Sequence, residues 1–202
     1  MLRNSKTRWK KKGGLQIHVA GLCYYVRKSF PDLKDHIVDT PLPLVVIGQK
    51  LKALDPNNKV VFIGPCIAKK AEALAQDSGI DAVLTFEEIA AMLAAKDIDP
   101  GKLEPKGPTF GQASKWGRGF AATGGVAKAV RGALGDEQSK IKMEVVTACG
   151  IGDCKRVLQL ARSGQLAENF FEGMACQGGC VGGPAALVEI RESVKALNKI
   201  CK

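Results

Sequence analysis

Glu172-Gly173-Met174-Ala175-Cys176-Gln177-Gly178-Gly179-Cys180-Val181-Gly182-Gly183-Pro184 is the stretch on which the reading of this chain turns. It carries two thiols with three residues between them, in a segment so rich in glycine that little side chain stands between the backbone and a bound group. A regular strand cannot turn both sulfurs to one point. A glycine-rich loop can, because positive φ angles let the backbone wrap both sulfurs and several N–H groups around a large sulfur-containing cofactor. The segment, entered through Phe170 and Phe171, therefore reads as a cluster-binding loop and not as a packing element. A reducible disulfide or half of a zinc site are the ordinary alternatives, but zinc loops more often use a two-residue gap and a second matching pair, which this chain lacks.

Upstream lies Gly64-Pro65-Cys66-Ile67-Ala68-Lys69-Lys70-Ala71-Glu72. It follows Lys59-Val60-Val61-Phe62-Ile63, a short β-branched run that reads as a buried strand of a parallel sheet, so Cys66 falls at a strand's carboxyl end, where ligands gather in open α/β sheets. The two thiol segments resemble the last and middle signature motifs of the iron-iron (FeFe) hydrogenases, Glu-x-Met-Ala-Cys-x-x-Gly-Cys-x-x-Gly and Pro-Cys-x-x-Lys-x-x-Glu, in the family's order. A Thr-Gly-Gly-Val turn at Thr123 to Val126 extends the likeness, which covers roughly residues 24–202 but only the later half of the family's domain.

The resemblance implies an α/β fold of parallel-sheet βα units with the cluster thiols at the carboxyl ends of strands. It implies a cubane 4Fe-4S cluster, held by four cysteines and joined through one of them to a diiron subcluster carrying carbon monoxide and cyanide. Cys66, Cys176 and Cys180 stand at three of the four positions, with Cys180 as the bridging thiolate and Pro65, Gly178 and Gly179 in the turns that receive the cofactor. Lys69 matches the lysine that hydrogen-bonds a cyanide, Glu72 can hold that lysine, and Met174 matches the methionine packed against the diiron unit. The reaction implied is reversible proton reduction and hydrogen oxidation, or hydrogen sensing. The implied partners are a ferredoxin-like electron carrier or a subunit supplying the amino-terminal half, and the hydrogenase maturation proteins.

The departures are equally specific. Gly64 stands where well-known catalytic members have methionine, and Gln177 where they often have proline, which leans toward the family's sensory branch. The first signature motif, Thr-Ser-Cys-Cys-Pro or a relative, is missing: the expected position holds Gln16-Ile17-His18-Val19-Ala20. Cys23 lies five residues beyond the expected ligand. His18 falls on that position and is able to ligate iron through nitrogen, as in Rieske centres. Residues 1–23 are read as a basic arm, disordered or mis-framed, and 24–202 as the hydrogenase-like domain, expected to be inactive alone. An iron-sulfur structural or electron-transfer protein without a diiron unit, and a non-functional gene fragment, are the alternatives.

Composition agrees with one compact domain of 202 residues and 46% hydrophobic content. The formal charge is +10, but six positive charges (Arg3, Lys6, Arg8, Lys10, Lys11, Lys12) crowd the first twelve residues, leaving a mildly basic body. Aromatic residues are 5% and are not interleaved with basic ones, which argues against nucleic acid as a partner. No apolar run reaches the ~20 residues of a membrane span. With no export signal, the seven cysteines read as reduced thiols of a cytoplasmic protein. Two histidines are too few for a multi-histidine metal centre, and no serine-protease arrangement or phosphate loop stands out.

Among the remaining elements, periodicity predicts a short strand at Leu15 to Val19, helical structure from Tyr24 to Phe30, and a helix from Pro41 or Pro43 to Leu54 with Leu44, Val45, Ile47, Leu51 and Leu54 on its apolar face. It predicts a helix from Ala68 to Gln76, a strand Ala82 to Leu84, and a helix capped by Thr85 and Glu88. A long loop from Asp99 to Gly119, a helix from Ala122 to Leu134, a strand Lys142 to Thr147 and a helix Asp153 to Ala161 follow. A terminal helix after Pro184 carries Leu187, Val188, Ile190, Val194 and Leu197. Cys149 and Cys154, with a four-residue gap beside glycines, could also hold metal, but at a strand end and in a helix they read more readily as small apolar side chains.

Overall fold

A computed structural model describes residues 16–18, 20–75, 77–104, 114–135 and 142–201. Strand β1 (Gln16–His18), helix α1 (Ala20–Ser29), a 3-10 turn (Pro31–His36) and helix α2 (Pro43–Leu54) come first. Strand β2 (Val61–Ile63), helix α3 (Ala68–Ala73), strand β3 (Ala82–Leu84) and helix α4 (Phe86–Ala94) follow. Beyond a short turn at Pro100–Lys102 come helices α5 (Lys115–Arg118) and α6 (Gly125–Leu134), then β4 (Val145–Cys149), α7 (Ile151–Arg162), β5 (Phe170–Met174) and α8 (Ile190–Ile200).

The strands form two parallel sheets. One has the order β1-β5-β4, and the other pairs β2 with β3. In the first, β5 is central, with Gln16 beside Phe170 on one flank and Cys149 beside Met174 on the other. All five residues of β5 are buried. The expectation of an unpacked loop entered through Phe170 and Phe171 thus holds only beyond Met174: the first half of the decisive stretch is the most enclosed strand of the sheet. Leu22, Val26, Phe30, Leu33, Ala148, Cys154, Val157, Leu158 and Phe171 form the core, so α1 and α7 both pack against this sheet.

Helix α1 begins at Ala20, and Leu22 and Cys23, assigned by sequence to the arm, lie in the packed body. Residues 1–15 and 19 of the arm fall outside the described residues. The capping box on α4 is present, with the Glu88 amide donating to Thr85 Oγ1 and the Thr85 amide to Glu88 Oε2.

The second sheet departs from expectation. Val61 and Ile63 are each 47% exposed, so β2 is not the buried strand its composition indicates. A two-stranded sheet has an open edge on both strands, and among the described residues its outer face has no cover. Ile47, Leu51 and Leu54 of α2 are likewise exposed. Leu187 and Val188 precede α8 instead of belonging to it, and both are exposed.

Candidate iron-sulfur site

Parallel strands send their carboxyl ends to the same side, and here that side collects sulfur. Cys149 ends β4, Cys176 lies two residues beyond β5, and Cys66 follows β2 after the turn at Gly64 and Pro65. Cys66, Cys149, Cys176 and Cys180 are all half-buried free thiols.

Backbone contacts fasten the two motif segments together. The Ala185 amide donates to the Pro65 carbonyl at 3.2 Å, and Gly183 leaves no room for a side chain beneath that same oxygen. The loop itself turns on Gly178 at φ +78° and Gly179 at φ +91°, a region that favours glycine. A Cβ on Gly179 would lie 2.6 Å from the Ala121 carbonyl and 2.8 Å from the Thr123 amide, so the loop lies directly on the turn that opens α6. Gly21, near the start of α1, faces Ala175 and Ala68, bringing α1 against both segments.

The thiols feel one another. Burial pushes the Cys180 thiol up to about 11, reinforced by Cys66 and Cys176 and partly offset by the Lys69 ammonium. Burial, then Cys66 and Cys149, also raises Cys176. Cys149 Sγ accepts from the Gly178 amide at 3.0 Å and lies 3.7 Å from the Cys176 carbonyl. Sequence reasoning, which treated Cys149 as a small apolar residue, missed this proximity. Its signal was the four-residue gap between Cys149 and Cys154 together with the two glycines inside it, Gly150 and Gly152.

Lys69 and Glu72 form the charged part of the site. Lys69 Nζ lies 2.6 Å from Glu72 Oε2, and Glu72 is 1% exposed. Its second oxygen, Oε1, is buried with no partner. Met174 is buried at the end of β5. Glu172, to which no role was given, accepts from the amides of Gly124 at 2.7 Å and Ala127 at 2.8 Å and so caps α6 from the neighbouring strand. Burial raises its carboxyl, while the Ala127, Gly124 and Val126 amides and the Lys128 charge act in the opposite direction.

Among the described residues, no three Cys, His, Asp or Glu side chains close around a single metal ion. A cubane makes a different demand, because its iron atoms sit at separate corners and each takes its own thiolate. Half-buried thiols spread around a glycine cradle fit that demand. A groove of about 540 Å³ lined by Phe86, Ile89, Leu93, Ile98 and Leu187 contains none of these thiols, so sulfur and not concavity locates the site.

Cysteine-bearing turns at the carboxyl ends of parallel strands are an arrangement suited to the iron-sulfur class of protein. Within that class, the chain belongs to the family of the iron only hydrogenase large subunit, C-terminal domain, which matches residues 20–184. It is 31% identical over 202 residues to the periplasmic [Fe] hydrogenase large subunit of Nitratidesulfovibrio vulgaris, covering 79% of this chain and 48% of that protein. A shorter match, 36% over 81 residues, covers 39% of this chain and 17% of the cytosolic Fe-S cluster assembly factor NAR1 of Kluyveromyces lactis. The fold resembles an apo [FeFe]-hydrogenase HydA1 variant from Chlamydomonas reinhardtii at a TM-score of 0.70 and 20% identity, over 97% of this chain and 68% of that one. The chain thus spans less than half the length of these curated relatives. No helix among the described residues is long and apolar enough to cross a membrane.

Proposed function

We propose that this chain is the cluster-holding portion of a cytoplasmic FeFe hydrogenase-like protein and binds a 4Fe-4S cubane through Cys66, Cys176 and Cys180, with Cys180 facing a diiron subcluster. The reading is carried by one observation: the Ala185 amide donates to the Pro65 carbonyl at 3.2 Å, which fastens the turn bearing Cys66 against the end of the loop bearing Cys176 and Cys180. When bound, such a cofactor supplies the redox chemistry that interconverts protons, electrons and hydrogen.

The chain's residues bind, orient and enclose. Pro65, Gly178 and Gly179 shape the turns that present the thiols. Lys69 offers a compact cation with three donors, suited to an anionic diatomic ligand in a dry pocket. Glu72 fixes that cation from behind at 2.6 Å. Met174 lines the pocket with a polarizable side chain that does not ligate. A ferredoxin-like carrier, the hydrogenase maturation proteins and a polypeptide supplying the amino-terminal half are the partners this reading requires.

The test is infrared spectroscopy of the chain matured together with that complementary half. Bands of metal-bound carbon monoxide and cyanide, lost in a Lys69→Met variant whose cubane is intact, support the reading; a matured complex with a cubane but no such bands contradicts it. In that event the second reading takes over, an iron-sulfur protein without a diiron unit, favoured by Gly64 in place of the catalytic members' methionine and by the likeness to an iron-sulfur assembly factor.

A further inference from the structure

We propose that Cys149 is a positioning residue of the cluster loop: its thiol, itself outside the ligand set, pins the Gly178 peptide between Cys176 and Cys180 and so fixes where those two sulfurs stand. The pin is built from contacts within the chain, and its bearing on the cofactor rests on the cubane reading above.

The loop has need of a pin. Gly178 and Gly179, at φ +78° and +91°, lie between the two thiols, and glycine loses more backbone freedom on ordering than any other residue. Inside the loop the Gly179 amide donates to the Cys176 carbonyl at 3.2 Å, and the Gly182 amide to the Gly179 carbonyl at 3.1 Å. The Gly178 amide has its partner outside, in the Cys149 sulfur at 3.0 Å.

The sheet delivers that sulfur. Cys149 ends β4 in parallel register beside Met174, and the Gly150 amide donates to the Met174 carbonyl at 2.7 Å, so the ends of β4 and β5 are locked together where the loop begins. Four groups then converge on one thiol. Its Sγ accepts from the Gly178 amide and, at 3.4 Å, from Thr123 Oγ1, while the Cys176 carbonyl and Gln177 Oε1 each lie 3.7 Å away as acceptors for its own proton. A neutral thiol, weak donor and weak acceptor at once, satisfies this set, and three of the four partners belong to the loop. Gly150 leaves the room for it: a Cβ there would lie 2.4 Å from Gln177 Nε2.

The fourth partner ties the loop to α6. Ala122 pairs with Gly179 in an antiparallel bridge, Thr123 bonds Cys149, and the Gly124 amide donates to Glu172, so three consecutive residues of the turn that opens α6 grip the loop, the end of β4 and β5. Cys149 is where β4, that turn and the loop meet. A methyl group at this position would leave the Gly178 amide without its acceptor, whereas a hydroxyl would keep both a donor and an acceptor.

The experiment compares the full 202-residue parent with Cys149→Ala, Cys149→Ser and Thr123→Val, each checked for folding by circular dichroism. Exchange of the Gly178 amide is read by NMR in the apo chains; after anaerobic loading with ferrous iron and sulfide, iron release to a chelator, the EPR signal and the reduction potential of the cluster are read. Cys149→Ala should speed Gly178 exchange about tenfold and iron release about fivefold and shift the potential, and Cys149→Ser should return all three to the parent's values within about twofold. Thr123→Val should move the same readouts by less, and add less than about twofold to a chain already carrying Cys149→Ala. Should Cys149→Ala not fold, Thr123→Val decides, and parent-like exchange and release in it overturn the inference. Parent-like iron release in a folded Cys149→Ala chain overturns it as well, as does equal damage by alanine and serine, or a three-iron EPR signal in Cys149→Ala, which would make the sulfur a ligand. Failure of the cubane reading shows separately: the parent then holds no four-iron cluster, while the ranking of the apo variants in Gly178 exchange still supports the pin.

Discussion

The Pro65 carbonyl accepts a hydrogen bond from the Ala185 amide at 3.2 Å, joining residues 120 positions apart and fixing the Cys66 turn against the end of the Cys176–Cys180 loop. Gly183 lies beneath the same oxygen, where a Cβ would collide with backbone on both sides, at Pro65 and Cys180. Gly183→Ala therefore forces the two thiol segments apart. We expect a destabilisation of about 1–3 kcal/mol by chemical denaturation and a severalfold loss of iron loading. Parent-like loading in a folded Gly183→Ala chain would show that the two segments need not be held together.

The Lys69–Glu72 pair makes the second prediction. Glu72 is 1% exposed and Lys69 side-chain exposure is 16%, so removing the ammonium strands a buried carboxylate. Lys69→Met should cost about 3–5 kcal/mol at neutral pH, whereas Lys69→Met combined with Glu72→Leu should recover most of that loss. A double-mutant cycle in urea measures the coupling; additive effects would mean that the pair is not formed in solution.

Glu172 holds the start of α6 by accepting from Gly124 and Ala127. Glu172→Gln keeps the shape but places an amide –NH2 where an oxygen is needed, leaving a buried donor facing a donor. The expected cost is about 1–3 kcal/mol, with amide hydrogen exchange accelerated first at Gly124 and Ala127. Uniform exchange along α6 in the variant would deny the cap its role.

Burial raises both Cys23 and Cys154 to about 11. An unfolded thiol ionises near about 8.5, so these groups favour the folded state fully below that pH. Their contribution disappears as pH rises from about 8.5 through about 11, because only the unfolded chain gains by ionising in that window. The apo chain should therefore lose stability steeply on the alkaline side, and Cys154→Ala, though less stable at neutral pH, should show a shallower alkaline slope. Identical slopes would place the alkaline titration elsewhere.

The sequence was most legible where a local rule decides the outcome. Thr85 and Glu88 form the expected capping box, which depends only on neighbours within four residues, and Ala82–Leu84 is the expected strand, although its partner is Val61–Ile63. Strand β5 was hidden because Glu172 interrupts its apolar run, and the partners that satisfy that carboxylate come from α6, 45 and 48 residues earlier. Cys149 was hidden for a similar reason: its nearness to Cys176 is a consequence of parallel register, which no spacing along the chain encodes. Val61 and Ile63 have the composition of a buried strand, but they share one face of a two-stranded sheet and both are exposed there, which their composition does not reveal.

The central claim is that the glycine-rich loop and the Cys66 turn together hold one cubane cluster. Anaerobic reconstitution followed by iron and acid-labile sulfide analysis, with the visible charge-transfer absorption recorded on the same samples, tests it most directly. The account predicts one four-iron cluster per chain in the parent and loss of the absorption in both Cys176→Ala and Cys180→Ala. Retention of iron, sulfide and absorption by the chain lacking both loop thiols would contradict it.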